Sequence, residues 1–133
     1  APAVPQAKNQ QQGAYLGELF LDLPGVAYEP VADENIELAE VVTLFAQHCH
    51  TAGLLGLCVR LVDRTVIFTG DTVYTRESYE QELPPGGSIN KTDSEFTENI
   101  AALKVMQKTY DAEMFFGHDY AQARAWEKKG WIE

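Results

Sequence analysis

The sequence has few basic residues, few sulfur atoms and no long apolar run. Ten lysines and arginines stand against twenty aspartates and glutamates, which gives a net charge of −10. A surface of this sign repels the phosphates of nucleic acids and anionic lipid head groups, so neither is expected as a partner. No apolar stretch approaches the roughly 20 residues that a membrane-spanning helix requires, and we therefore expect no membrane association.

Cysteine is also scarce, with only Cys49 and Cys58 in the chain. Two thiols do not make the disulfide framework of a small secreted protein, and Cys58 lies in an apolar, strand-like run typical of a core. We therefore expect both thiols to be reduced and the protein to be cytoplasmic. A length of 133 residues, of which 45% are hydrophobic, suits one domain with a single core.

The first 13 residues contain two prolines, a run of three glutamines and no apolar side chain larger than that of valine. This composition predicts a mobile lead-in over residues 1–13, followed by a single domain over residues 14–133. The first residue is alanine, not methionine, which indicates a start that has been processed or cut.

Two hairpins are predicted in the first two thirds of the chain. One joins Val26–Val31 to Ile36–Glu40, and Val41–Phe45 is expected to continue the second of these strands. The other joins Gly56–Val62 to Thr65–Phe68 through the two residues Asp63 and Arg64, a connection length that favours an antiparallel pair.

The last third is predicted to be mainly helical. Thr92–Glu95 has the spacing of a capping box, so a helix is expected to begin there. Lys104 and Lys108 are expected to face water, whereas one apolar stripe faces the core and consists of Phe96, Ile100, Leu103, Met106 and Tyr110. Met114–Phe116 predicts a short buried strand, and Ala121–Lys129 predicts a final helix that ends at a glycine.

Three residues that can bind a metal, His50, Asp71 and His118, each lie where an apolar run ends. Asp71 and His118 are each preceded by a glycine that comes at the end of such a stretch. The end of a strand is where a fold can direct side chains at a common point, and nitrogen and carboxylate ligands suit zinc or a similar ion. Any one of these residues alone would more often be an ordinary solvated side chain. The repeated arrangement therefore carries the hypothesis of a metal site.

Residues beside these three leave alternatives open. In an extended backbone His48 and His50 would point to the same side, whereas in a loop only one of them would point inward. Cys49 is a weaker candidate ligand, because no second cysteine stands at Cys-x-x-Cys spacing. Tyr74 either donates a hydrogen bond to a developing oxyanion or is an ordinary packed tyrosine.

Three stretches in this order, His50–Gly53, Phe68–Asp71 and Phe115–Asp119, resemble the C-terminal half of metallo-β-lactamase-fold hydrolases. Asp71–Glu80 and Phe115–Asp119 are most similar to the N-acyl homoserine lactone lactonases, and the resemblance covers about residues 27–119. It implies an α/β fold, half of an αββα sandwich, with a mostly antiparallel sheet and helices packed on one face.

The resemblance also implies roles for the site residues. In a complete enzyme His50 would ligate one zinc ion, His118 would ligate a second, and Asp71 would bridge both. Tyr74 corresponds to a tyrosine that contacts the lactone carbonyl and assists ring opening. The implied function is hydrolysis of the lactone ring of N-acyl homoserine lactones, which is quorum quenching, through Lewis-acid activation of water. The superfamily also contains members that cleave thioesters, phosphodiesters or β-lactams, so the expected partner is a small-molecule lactone or another ester-like substrate.

The sequence departs from the family in one large respect, because the cluster His-x-His-x-Asp-His, which supplies most of the metal ligands, is absent. We therefore expect either a fragment of a longer enzyme or a natural half, with at most one weakly bound metal ion. His48 and Cys49 also replace the family's Pro-Gly, and Leu54 replaces a histidine, so the loop is expected to differ in shape.

A non-catalytic binding or assembly module is the alternative function. Half of a sandwich would leave an apolar face uncovered. That face predicts a homo-oligomer or association with a missing N-terminal half.

Overall fold

The computed structural model describes residues 23–27, 29, 35–51, 53–84 and 93–132. The chain divides into two compact units, Ala1–Ala32 and Asp33–Glu133. In the first unit the described residues form a turn at Pro24–Gly25, closed by a hydrogen bond from Val26 N to Leu23 O of 3.1 Å. The predicted lead-in and its boundary at residue 13 lie outside the described residues, as do residues 32–34 of the turn predicted before β1. Of the strand predicted over residues 26–31, residues 28, 30 and 31 also lie outside them, and the described residues 26, 27 and 29 are not in a strand.

A five-stranded sheet forms the centre of the second unit, and its strands are neighbours in chain order. The first four strands pair antiparallel, and the fifth joins the fourth in parallel. These strands are β1 (Ile36–Ala39), β2 (Val42–Ala46), β3 (Leu55–Arg60), β4 (Thr65–Phe68) and β5 (Ala112–Phe115). The predicted α/β class and mostly antiparallel sheet are confirmed.

In the described part of the chain, three helices accompany the sheet, together with a 3₁₀ turn at Gly70–Thr72. The helices are α1 (Arg76–Gln81), α2 (Asp93–Tyr110) and α3 (Tyr120–Lys128). α2 and α3 agree with the predicted helices, whereas α1 was not predicted. The capping residue proposed for α2, Thr92, lies outside the described residues. Within the described part of the chain, no helix has the length and apolar content to cross a membrane.

The strand pairing corrects one prediction and refines another. The chain reverses at Glu40–Val41, so β2 pairs antiparallel with β1 and does not continue it. No glycine, proline or asparagine marks this turn, which is why the sequence did not reveal it. The β3–β4 pair is confirmed, but a hydrogen bond from Leu61 N to Arg64 O of 2.8 Å places its two-residue turn at Val62–Asp63, one residue earlier than predicted.

The predicted apolar stripe of α2 is confirmed over most of its length. Its first members are almost fully buried against Ile67 and Met114 of the sheet, and Met106 packs against the same cluster. The buried members are Phe96, Ile100 and Leu103, each at most 4% exposed. Tyr110, at the last position of the helix, is 42% exposed and does not belong to the stripe.

Lys104 differs from the prediction, because it does not simply face water. Its ammonium group pairs with Glu82 and lies 5.8 Å from the ring centre of Tyr79. Lys108 is exposed, as predicted.

α3 reaches the opposite face of the sheet. Phe68 and Phe115 contact each other there with ring centres 5.1 Å apart, and Trp126 of α3 packs on Phe115 at 5.0 Å. The predicted packing of helices on one face therefore describes α2, whereas α3 contributes to the other face.

Three loops meet at one edge of the sheet because of this topology. β4 and β5 are parallel neighbours and end side by side at Phe68 and Phe115. β3 runs antiparallel to β4 and begins at the same edge. The described residues of segments 47–51, 53–54, 69–75 and 116–119 therefore lie close together, although these segments are far apart in sequence.

Candidate active site

The structure brings the three predicted metal-ligating residues together at this edge. Nε2 of His118 lies 3.0 Å from Oδ1 of Asp71, and Nε2 of His50 lies 3.7 Å from Oδ2 of the same carboxylate. Each histidine therefore faces a different oxygen of Asp71. His50 is buried, while the side chains of Asp71 and His118 are 46% and 53% exposed.

Asp71 is held by the tight turn that follows β4. Gly70 has φ = +55°, and a Cβ at this position would lie 3.3 Å from the carbonyl oxygen of Leu55, so glycine suits both the conformation and the space. Thr69 is fully buried, and its hydroxyl lies 3.2 Å from Val73 O and 3.3 Å from Phe115 O. Because the hydroxyl can donate to either carbonyl, it ties the turn to the end of β5.

His118 and Asp119 connect the end of β5 to the segment after Asp71. The amide of His118 donates to Tyr74 O at 3.1 Å. The Asp119 carboxylate accepts from the amides of Arg76 at 3.0 Å and Gln122 at 2.9 Å. Partial burial opposes the charge on Asp119, but these two hydrogen bonds and the nearby Arg76 charge outweigh it and lower the pKa of the carboxyl.

Gln122 supports the same segment from α3. Its side-chain carbonyl accepts from Phe116 N at 2.9 Å, and its side-chain amide donates to Met114 O at 2.7 Å. Because it bonds to the backbone at Met114 and Phe116, this buried side chain lies along the outer edge of β5. Sequence reasoning did not single out Asp119 or Gln122, although Asp-x-x-Gln before a helix is a capping-box spacing that could have identified them.

Tyr74 lies between the two histidines. Its ring centre is 4.3 Å from that of His118 and 6.0 Å from that of His50. Partial burial and the negative charge of Asp71 raise the pKa of Tyr74. The phenol therefore stays protonated at neutral pH and retains a proton to donate.

His48 and Cys49 take different positions from His50. Residues 48–50 form a turn, so the extended arrangement with two parallel histidines is not adopted. Cys49 is 3% exposed and belongs to the hydrophobic core. Burial raises the pKa of its thiol, with a smaller opposing effect from the Thr72 hydroxyl, and a buried neutral thiol is a poor metal ligand. Cys49 and Cys58 are both free thiols.

The distances between the donor atoms can be compared with the distances between ligand atoms in a zinc site. Zinc bonds of 2.0–2.2 Å in tetrahedral geometry separate two ligand atoms by about 3.3–3.6 Å. The distances of 3.0 and 3.7 Å from the two histidines to Asp71 lie close to this range. The donor types and spacings therefore fit one ion beside each carboxylate oxygen. Within the described residues, however, no three His, Cys, Asp or Glu side chains are grouped so as to hold an ion, so the ligand set there is incomplete.

Comparisons with known proteins point to one superfamily. A family model described as the metallo-beta-lactamase superfamily matches residues 3–118. An N-acyl homoserine lactonase from Bacillus sp. is 32% identical over 117 residues, which cover 86% of this chain and 44% of that protein.

Two solved structures are similar at 28% identity and a TM-score of 0.72, and in each case 84% of this chain covers 42% of theirs. One is an N-acyl homoserine lactone hydrolase with the product N-hexanoyl-L-homoserine bound at its catalytic metal center. The other is from B. thuringiensis, with N-decanoyl-L-homoserine bound at its active site. The chain spans less than half of the length of the relatives it matches.

Proposed function

This chain belongs to the metallo-beta-lactamase superfamily, and from that premise we propose that it forms the part of a lactone hydrolase that contains His50, Asp71 and His118. The observation that carries the proposal is the position of the Asp71 carboxylate, whose two oxygens face Nε2 atoms of two different histidines. The proposed reaction is opening of the lactone ring of an N-acyl homoserine lactone, which would make the protein quorum-quenching.

Each of the three residues has a proposed role toward metal. His50 would hold one divalent ion, His118 a second, and Asp71 would bridge them. Zinc is the proposed ion, because nitrogen and carboxylate donors in tetrahedral geometry suit it. Such a pair of ions polarises a carbonyl and activates water for hydrolysis.

Tyr74 is proposed to act on the substrate directly. Its protonated hydroxyl can donate a hydrogen bond to the carbonyl oxygen that gains negative charge as the ring opens. Its ring is held against His118, at a centre-to-centre distance of 4.3 Å, so the hydroxyl stays near the metal ligands. The side chains of Asp71 and His118 are about half exposed, so a small lactone can approach them.

The remaining metal ligands are proposed to lie outside the printed sequence. The chain covers 44% of the matched lactonase and contains no His-x-His-x-Asp-His cluster. A complete enzyme would therefore join this chain to a segment that supplies that cluster. A cytoplasmic location and the absence of nucleic-acid and membrane partners remain predictions from the free thiols and the net charge of −10.

The test compares this 133-residue chain with the protein encoded by its natural reading frame. We expect elemental mass spectrometry to find two metal ions in each molecule of the natural protein. We also expect the natural protein to hydrolyse N-hexanoyl homoserine lactone, which a pH-stat titration measures as the acid released. The 133-residue chain is expected to bind at most one ion, weakly, and to show no appreciable hydrolysis. Two tightly bound zinc ions in the short chain would contradict the proposal, as would a zinc-loaded natural protein without lactonase activity.

The alternative, an assembly module, is favoured by exposed apolar residues. Leu38 and Leu61 are 64% and 51% exposed, and within the described residues β1 pairs only with β2. On the face opposite α2, an apolar groove is lined by Val66, Phe68 and Trp126. Self-association would cover such surfaces. Sedimentation of the 133-residue chain should then show at least a dimer, whereas a monomer at micromolar concentration that binds no hydrophobic dye would exclude this reading.

A further inference from the structure

Asp119, the residue after His118, joins two segments that are 43 positions apart. One carboxylate oxygen accepts from the amide of Gln122, which is the usual capping bond at the start of α3. The other accepts from the amide of Arg76, the first residue of α1. We propose that Asp119 is a positioning residue that fixes Tyr74 relative to His118. Its catalytic consequence rests on the proposed lactone hydrolysis, but its structural consequence does not.

Two parallel links hold Tyr74 in place. The first is the hydrogen bond from His118 N to Tyr74 O. The second is the hydrogen bond from Arg76 N to Asp119, which lies two residues after Tyr74 on one segment and one residue after His118 on the other. Thr69 already ties the start of the 69–75 segment to the end of β5, but beside Tyr74 a single link would leave the two segments free to rotate about it, whereas two links fix both separation and orientation. The rings of Tyr74 and His118 are thereby kept 4.3 Å apart.

Helix capping alone does not explain the contact with Arg76. α1 already has its own cap, because the Thr75 hydroxyl accepts from Ser78 N at 3.1 Å. Arg76 is exposed, so water could satisfy its amide at little cost. The bond from this amide to Asp119 is therefore dispensable for α1 and has its effect on the relative position of two segments of the site.

Asp119→Ser separates the two functions of the carboxylate. Serine caps a helix about as well as aspartate, so α3 should keep its start, but one short hydroxyl cannot also reach Arg76. Asp119→Asn is the second variant, because it retains the size of aspartate with only one accepting oxygen. Thr75→Ala is the matched control, since it removes a capping bond of α1 and leaves the Asp119 link intact.

In the natural protein with bound zinc, Asp119→Ser is expected to lower kcat for N-hexanoyl homoserine lactone by about 10- to 100-fold, with KM changed by less than about 3-fold. Thr75→Ala should leave both constants within about 3-fold. In a Tyr74→Phe background, Asp119→Ser should lower kcat by less than about 3-fold, because the hydroxyl that it positions is already absent. An equal loss in both backgrounds would overturn the proposal.

A second measurement is independent of activity. Hydrogen exchange of the His118 amide should become at least about 10-fold faster in Asp119→Ser and Asp119→Asn, while the Gln122 amide stays protected and Thr75→Ala changes neither. Unchanged exchange at His118 in both Asp119 variants would overturn the positioning role. A wild-type protein that hydrolyses no lactone would instead overturn the proposed function, and the exchange result would still decide the role of Asp119.

Discussion

Nε2 of His118 lies 3.0 Å from Oδ1 of Asp71, although the two residues are 47 positions apart in sequence. The parallel pairing of β4 with β5 produces this proximity, because both residues follow the ends of those strands. A half-exposed contact of this kind contributes at most about 1 kcal/mol to stability, whether it is a hydrogen bond or an ion pair. Stability is therefore a weak reason for this arrangement, which agrees with the proposed role of the two residues as ligands of a shared metal site.

Asp71→Asn should remove most activity of the natural protein, because an amide is a much weaker metal ligand than a bridging carboxylate. We expect a loss of more than about 100-fold in lactone hydrolysis, together with loss of bound zinc. Asp111→Asn is the matched control, since Asp111 is exposed and has φ = +46°, a conformation that asparagine accepts. Wild-type hydrolysis after Asp71→Asn would refute the bridging role.

Tyr74→Phe removes the proposed donor to the oxyanion and nothing else. The loss of one such donor should lower kcat by about 10- to 1000-fold with little change in KM. Tyr110→Phe makes the same chemical change at an exposed position at the end of α2 and should leave kcat unchanged. If both variants keep full activity, the Tyr74 hydroxyl does not contact the reacting oxygen.

The residues of the candidate site could be named from the sequence, but their convergence could not be derived from it. His50, Asp71 and His118 stand out because each follows an apolar run. The apolar runs themselves do not indicate that β5 pairs with β4 in parallel, and this pairing is what brings Asp71 and His118 together. The resemblance to the lactonases implied a common site for the three residues without specifying this strand pairing. The resemblance itself is confirmed by the match to the metallo-beta-lactamase superfamily and by the similarity to an N-acyl homoserine lactonase.

Helices and turns were predicted only where the sequence has a distinctive pattern of residues. The stripe of α2 follows helical spacing over several turns, so it could be recognised. α1 has only six residues and is capped by Thr75 with Ser78, a pair that lacks the carboxylate of a capping box. The turn at Glu40–Val41 contains no turn-forming residue. Asp119 was overlooked as an individual residue because its second partner, Arg76, is distant in sequence.

Leu103→Ala tests the core. Leu103 is fully buried in the stripe of α2, so its truncation should reduce the free energy of unfolding by about 2–5 kcal/mol. Val105→Ala is the matched control on the same helix, because Val105 is 65% exposed, and it should change stability by less than about 1 kcal/mol. Urea unfolding of both variants measures the difference. Equal effects would mean that α2 packs through another face.

The buried phenol of Tyr79 should make the protein less stable at alkaline pH. Burial raises its pKa to about 12, and its hydroxyl donates to Gln107 Oε1 at 2.9 Å. The same tyrosine in an unfolded chain titrates near pH 10. Between these values the unfolded state releases the proton while the folded state retains it, so stability is complete below about pH 10 and falls as the pH rises toward 12.

The size of this effect follows from the difference between the two pKa values, which corresponds to about 2–3 kcal/mol over the full interval. Urea unfolding at several pH values from 9 to 11.5, compared between the wild type and Tyr79→Phe, measures it. The wild type should lose stability more steeply with pH than Tyr79→Phe, which has no phenol to ionise. Tyr110→Phe should keep the wild-type slope, because Tyr110 is exposed in the folded state. If the slope is the same with and without the Tyr79 hydroxyl, that phenol ionises equally well in the folded and unfolded chains, and its burial does not contribute to the alkaline limit of stability.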